Sequence, residues 1–304
     1  MSTPRPLIGW VFPFFTCDSA RVTTALDRDP TSADAEAELA DTYLFQVKDS
    51  SVAPAVGFER ARRAATNALK RDPQNVLAHA VTAEIHIVYD WDWAGAEREL
   101  QQAATLAPGN LRVLMGEVEL STTLGRWDDA LRQAKAALAL DPMSPLALNA
   151  LSNVQWDRGH LPEAEAAARR VLDIRPTFSY GHYHLGLLLL ERDDRDAALY
   201  EMQQKTTDEG KQEGLAIVYH ALGRKTDSDA APAGTLKNQV DGNALDIADV
   251  YAFRGQANEA MHWLERTYAQ RGAYLYDIKS DGLLKGLRAD SRYKALLRKM
   301  NLPE

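Results

Sequence analysis

The 304 residues carry 45% apolar and 26% charged side chains and a formal net charge of −8, the balance of a folded chain rather than a disordered one. That acidity argues against broad contact with nucleic acid or an anionic membrane, and no apolar run approaches the roughly 20 residues that span a bilayer. Cys17 is the one cysteine, which excludes a disulfide within the chain and a two-cysteine zinc or redox motif.

Taken in order, the first apolar stretch is Leu7–Phe15, which follows Arg5 and is interrupted by Pro13. It is short for a signal core and no small-x-small site follows, so residues 1–22 read as an N-terminal arm. A cytoplasmic location is expected, with the periplasm as the alternative if that arm is a targeting or anchor remnant. Thr23–Pro30 reads as the last turns of a helix. Ala33–Phe45 predicts the next helix, with Leu39, Ala40 and Tyr43 inward. A loop holding Ser50, Ser51, Pro54 and Gly57 then leads to a partner helix over Phe58–Arg71, with Ala61, Ala65, Ala68 and Leu69 inward. Val76–Pro108 predicts a second hairpin, with an insertion Asp90–Trp93 between its helices. Trp91 and Trp93 are expected to plug the hairpin top while Asp92 caps the helix that follows.

The clearest unit is Leu111–Pro142. Within it Gly125 and Arg126 make a turn, and Asp128 or Asp129 can cap a helix whose Ala130, Leu131, Ala134, Ala137 and Leu138 share one face. Asp141-Pro142 stops it, because proline lacks an N–H and restrains the residue before it. Pro145–Pro176 repeats the plan with Ala164 at the offset of Ala130, and Ser179–Gly210 repeats it with Leu185-Gly186 and Ala198. Pro108, Pro142 and Pro176 fall 34 residues apart, and Pro73 lies 35 before Pro108. A period near 34 with small residues at fixed offsets indicates stacked helical hairpins. Beyond Gly210, Tyr219 and Gly223 mark a further first helix and turn. Its second helix is expected near Ser228 and should start late or break, since Pro232 and Gly234 fall inside it. Ala244–Gln270 restores the pattern with Ala248, Tyr251, Gly255 and Ala260. Leu283–Met300 predicts two short capping helices, the last started by Asp290, with Lys294, Arg298 and Lys299 on a polar outer face.

These residues resemble the tetratricopeptide repeat family. Leu185-Gly186 with Ala198 carries the resemblance in one unit, Ala130, Ala137 and Pro142 in another, and Tyr251, Gly255 and Ala260 in the last. It covers about Thr23 to Gly272, and it implies an all-α right-handed superhelix of about seven hairpins (residues 23–272) with a helical cap (residues 273–304). Tyr89–Leu100, Leu140–Leu151, Trp263–Leu275 and Asp281–Met300 are similar, more narrowly, to bacterial repeat regions joined to winged-helix, nucleotide cyclase or kinase domains. The tail of that group usually reads Asp-Pro twice, where Asp281-Gly282 and Asp290-Ser291 stand here.

No phosphate-binding glycine loop, nucleophile elbow, His-Glu-x-x-His or EF-hand loop occurs. His79 and His86 are seven apart, too far for an i,i+4 metal pair, and His182 falls where the family packs an aromatic residue. Glu163 with Glu165 and Asp193 with Asp194 sit at helix starts, where acids favour the dipole. The reading is therefore a non-enzyme with no cofactor and no metal.

In stacked hairpins the first helices line a concave wall used for binding. Aligning the units puts Arg112, Met115 and Glu119 there, then Asn149, Asn153 and Trp156, then Tyr180, Tyr183 and Leu187. Amides can bond a peptide backbone while aromatic rings cover its side chains. Asn149 and Asn153 resemble part of the family's carboxylate clamp, although Glu191 stands where a lysine is wanted. The leading expectation is a protein–protein interaction module gripping a partner peptide or protein segment, with no nucleic acid and no membrane span. The alternative is a regulatory sensor region that binds a small ligand and controls a separate transcriptional or signalling output. In the plainest reading the wall residues only pack between hairpins. Residues 18–49 hold eight acids and three bases, and residues 283–300 hold six bases and one acid, a polarity that predicts weak head-to-tail homo-oligomers.

Overall fold

The computed structural model describes residues 19–48, 52–204, 208–231, 244–272 and 274–303, and these are helical hairpins and turns with no strand among them. The chain forms two compact units, Met1–Ser121 and Thr122–Glu304. In the first, α1 (Ser19–Arg28) precedes the hairpin of α2 (Ala33–Lys48) and α3 (Pro54–Arg71). The next pairs α4 (Val76–Ile85), prolonged by a π turn over His86–Asp90, with α5 (Trp93–Leu106). Helix α6 (Leu111–Thr123) leads in sequence from the first unit to the second.

The second unit continues with α7 (Trp127–Leu140), α8 (Pro145–Asp157), α9 (Leu161–Ile174), α10 (Ser179–Glu191) and α11 (Arg195–Gln204). Helices α12 (Asp208–Ala221), α13 (Lys225–Ala230), α14 (Ala244–Phe253) and α15 (Ala257–Ala269) follow. Two 3-10 turns, Leu275–Asp277 and Gly282–Leu287, and α16 (Ser291–Lys299) complete it.

Small side chains set the spacing of each hairpin. Ala130, Ala164, Ala198 and Ala260 have no exposed surface, so a larger side chain there would have no room. Ala37, Ala68 and Ala78 join α2, α3 and α4, with Leu69 and Leu77 packed around them. In the second unit Leu148, Val171 and Phe178 form the equivalent cluster.

In the hairpins from α4 onward the inner turn holds one left-handed residue. Gly125, Gly159, Gly223 and Gly255 supply it, with φ between 72° and 78°, where a glycine avoids the Cβ clash. Asp193, 34 residues after Gly159, takes the same role at φ 63°, and Trp91, 34 before Gly125, does so at φ 57°. Asp90–Trp93 is thus this hairpin's turn with one residue added ahead of it. Trp91 lies 17 residues before Pro108, as Gly125 does before Pro142, but 18 after Pro73. The π turn over His86–Asp90 takes up that extra residue. Trp91 and Trp93 are buried, Asp92 accepts from Gly95 N at 2.9 Å, and Tyr89 stacks on Phe58 with ring centres 4.5 Å apart.

Three expectations need correction or lie beyond view. Pro54 and Gly57 belong to α3, not to the loop before it: Pro54 stands at the first helical turn, where its missing N–H costs nothing. Helix α13 starts at Lys225, three residues before Ser228, whose hydroxyl donates to Ala216 O at 2.7 Å. Leu7–Phe15, Pro232 and Gly234 lie outside the described residues.

Candidate functional site

In the first unit, the starts of α2, α4 and α6 lie beside one another. Asn75 caps α4 by accepting from Ala78 N at 2.9 Å, and its amide donates to Asp34 Oδ1 at 2.7 Å. Asn110 does the same work for α6, accepting from Arg112 N at 2.9 Å. With Gln74, Leu77 and Asp72 these groups line a cleft of about 330 Å³.

Arg112 also lines the cleft and runs beneath it, donating to Asp41 at 3.0 Å and to Glu84. Lys48 donates to the other Glu84 oxygen, and the Lys48 and Glu84 side chains are buried. Burial alone would push the Glu84 carboxyl up, but the Arg112 and Lys48 charges reverse this and hold it down to about 2. Burial likewise opposes the Lys48 charge, and Glu84 and Glu119 outweigh it, raising the lysine above its usual range. The result is a fixed charge network under a polar cleft, with Glu119 and Met115 buried in this unit.

In the second unit the C-terminal segment lies across the first helices of successive hairpins. Gly282 is so close to Trp156 that a Cβ there would sit 3.3 Å from Cζ2. Lys285 pairs with Glu191 at 2.7 Å, and Tyr293 Oη donates to Ile278 O at 2.7 Å. Leu275, Tyr276, Ile278, Leu284 and Leu287 are each no more than 2% exposed.

Part of the expected wall is therefore enclosed, while Asn153, Trp156 and Tyr180 are half-buried. Asn149, Tyr183 and Leu187 are buried. Tyr183 donates to Glu213, and Asn153 is hydrogen-bonded to Tyr180. The Tyr180 ring stacks on His184 at 5.9 Å, and Trp156 meets His184 edge-on at 5.1 Å. Ser152 Oγ donates to Ala164 O at 2.7 Å, so the His184 Nε2–H donates to Ser152 at 2.9 Å. Burial lowers the His184 pKa to about 3, so the ring is neutral.

Several carboxyls are enclosed with the segment. Asp281 caps the second 3-10 turn, accepting from Leu283 N at 2.8 Å, and is hydrogen-bonded to Asp249. Two carboxyls bond only while one keeps its proton; burial pushes both up, joined by the Asp281 charge at Asp249 and by the Asp277 charge at Asp281. Burial and the Asp277 charge push Asp157 up as well.

Sequence reasoning anticipated the hairpins but missed the cleft at the helix starts. A polar residue ahead of each first helix (Ser32, Asn75, Asn110, Ser144) was its available trace. Two of the histidines make matching contacts. His79 Nε2 donates to Pro73 O and its Nδ1 meets Glu99, while His182 repeats both contacts with Pro176 O and Glu201. Among the described residues no His, Cys, Asp or Glu group is arranged to hold a metal ion, and no helix is long and apolar enough to cross a membrane.

Residues 123–177 match the tetratricopeptide repeat family model. Among solved structures the chain is similar to Pseudomonas aeruginosa pilF, with 16% identity and a TM-score of 0.54 over 70% of this chain and 94% of that one. A tetratricopeptide repeat protein from Parabacteroides merdae is similar at 18% identity and a TM-score of 0.54, over 88% and 98%. A chain of the APC/C hetero-tetramer Cut9-Hcn1 is similar at 17% and 0.57, over 90% of this chain and 47% of that one. At these identities the likeness is one of fold. No curated protein matches the sequence.

Proposed function

Since the chain is a tetratricopeptide-repeat protein, we propose that it is a non-catalytic interaction module that docks an extended segment of a partner protein in the cleft of its first unit. The observation that carries this reading is the row of groups at the starts of α2, α4 and α6, which crosses successive hairpins. Asn110 and Gln74 offer amides to a peptide backbone, and Leu77 offers apolar contact. Asp34 and Asp72 suit a partner segment that brings a basic side chain. Arg112, expected on the inner wall, contributes here and is held rigid by Asp41 and Glu84.

The test uses the full chain as bait in its host, with cross-linking to locate the captured segment. Gln74 is exposed in the cleft, so Gln74→Trp should obstruct docking without removing a buried contact. At least about a tenfold loss of affinity is expected, equivalent to 1.4 kcal/mol. A partner that cross-links elsewhere and binds Gln74→Trp as tightly as the parent refutes the cleft. A second reading, a regulatory region responding to a small ligand, is favoured by a separate cavity in the other unit.

A further inference from the structure

A cavity of about 430 Å³ opens in the second unit between the hairpin turns and the C-terminal segment, within the size range of small-molecule sites. Trp127 and Trp156 give it aromatic walls, and Lys279, Lys285, Arg288 and Lys294 line it with positive charge. Lys285 is neutralised by Glu191. No ion pair links Lys279, Arg288 or Lys294 to a carboxylate among the described residues. Lys279 instead stands beside Arg288, whose guanidinium donates to Lys279 O at 3.3 Å. Its Nζ lies over the Gly125 turn near Trp127: a Cβ on Gly125 would be 3.1 Å from Nζ and 3.8 Å from Trp127 Cζ2.

Lys279 and Arg288, held side by side with no ion-pair partner among the described residues, repel one another, and folding would disfavour the arrangement unless something else gained from it. Burial, and after it the nearby Arg288 charge, lower the Lys279 pKa. Asp157, the remaining acid on the cavity wall, forms no ion pair there among the described residues; burial and the Asp277 charge push its carboxyl up against the opposing pull of Arg288.

We propose that this cavity binds a small organic anion bearing a planar ring, its phosphate or carboxylate held by Lys279, Arg288 and Lys294 and its ring resting on Trp127 and Trp156. The proposal does not depend on partner docking in the first unit. Ring faces and cations together suit both ends of such a ligand, and the head group could be either anion.

Titration calorimetry of the full chain at low salt, where screening is weak, distinguishes these cases. AMP supplies a ring with phosphate, indole-3-acetate a ring with carboxylate, and adenosine and inorganic phosphate supply the halves alone. One of the two ring-bearing anions should bind with a Kd below about 1 mM, and its separate halves at least tenfold more weakly. Arg288→Ala and Lys279→Met should each weaken it at least tenfold, while the melting temperature of each ligand-free variant should hold or rise as repulsion is relieved. Failure of both ring-bearing anions to bind below that limit overturns the proposal. Binding that survives both substitutions, or that inorganic phosphate alone reproduces, overturns it equally.

Discussion

The charge network of the first unit makes a quantitative prediction about Glu84→Gln. Glutamine keeps the volume and one acceptor but removes the negative charge that Lys48 and Arg112 share. The Glu84 carboxyl stands at about 2 against an ordinary 4.5, a difference equivalent to about 3 kcal/mol in favour of the charged form. An independent route agrees, since removing one partner of a buried ion pair costs about 3–5 kcal/mol. Lys48 is the group left exposed to the loss, being itself only 5% exposed. Hydrogen exchange of the α4 amides, read by mass spectrometry, should show a loss of about 3 kcal/mol in protection. Adding Lys48→Met should return much of it, because the two losses share one interaction. The sign with pH is fixed. A depressed carboxyl contributes stability above its unfolded pKa near 4.5, and the contribution is lost as pH falls toward about 2. A change below about 1 kcal/mol in Glu84→Gln, or a double variant no better than the single one, would refute the reasoning.

Ala130→Leu and Ala164→Leu, at positions with no exposed surface, should each destabilise by about 1–3 kcal/mol through overpacking; an unchanged melting temperature in both would contradict the packing described. The Asp249–Asp281 pair has the opposite pH sign from Glu84. Both carboxyls are raised, so their contribution is complete below the unfolded pKa near 4 and declines as pH rises through the raised values. Exchange protection of residues 275–287 should fall from pH 5 to pH 8.5, and Asp249→Asn, which keeps a donor for Asp281, should flatten that fall. Tyr183→Ala should lower stability by about 3–5 kcal/mol, because the ring is buried and donates to Glu213; thermal melts that overlay the parent would mean the ring is not part of the core.

What the sequence disclosed about this fold follows from how local each cause is. The proline spacing and the alanines at Ala130, Ala164 and Ala198 are features of single hairpins, repeated because each hairpin solves the same packing problem. The register of Trp91 was equally open to counting, 17 residues ahead of Pro108. It was obscured because a tryptophan at a left-handed turn runs against the usual preference for glycine. The cap is another matter. Lys285 and Glu191 are 94 residues apart, and no periodicity records that Gly282 will lie on Trp156. Asn149, Asn153, Tyr180 and Tyr183 look like binding residues because amides and phenols serve an internal interface and a peptide equally well.

Whether a partner could nonetheless take the cap's place is a question of magnitude. Leu275, Tyr276, Ile278, Leu284, Leu287 and Tyr293 are all nearly inaccessible. Burying side chains of this size contributes about 1.5–3 kcal/mol each, and extended-chain bookkeeping makes that an upper estimate. Six of them give on the order of 10 kcal/mol, before the Lys285–Glu191 pair and the Tyr293 hydrogen bond are counted. A peptide bound at 1 μM brings about 8 kcal/mol, and it would have to replace those contacts while leaving the displaced apolar side chains in water. Competition at that face therefore favours the chain's own segment. The first helices of the second unit behave as core, which is why the surfaces proposed for recognition are instead the polar cleft over Arg112 in one unit and, in the other, the cationic cavity beside the cap.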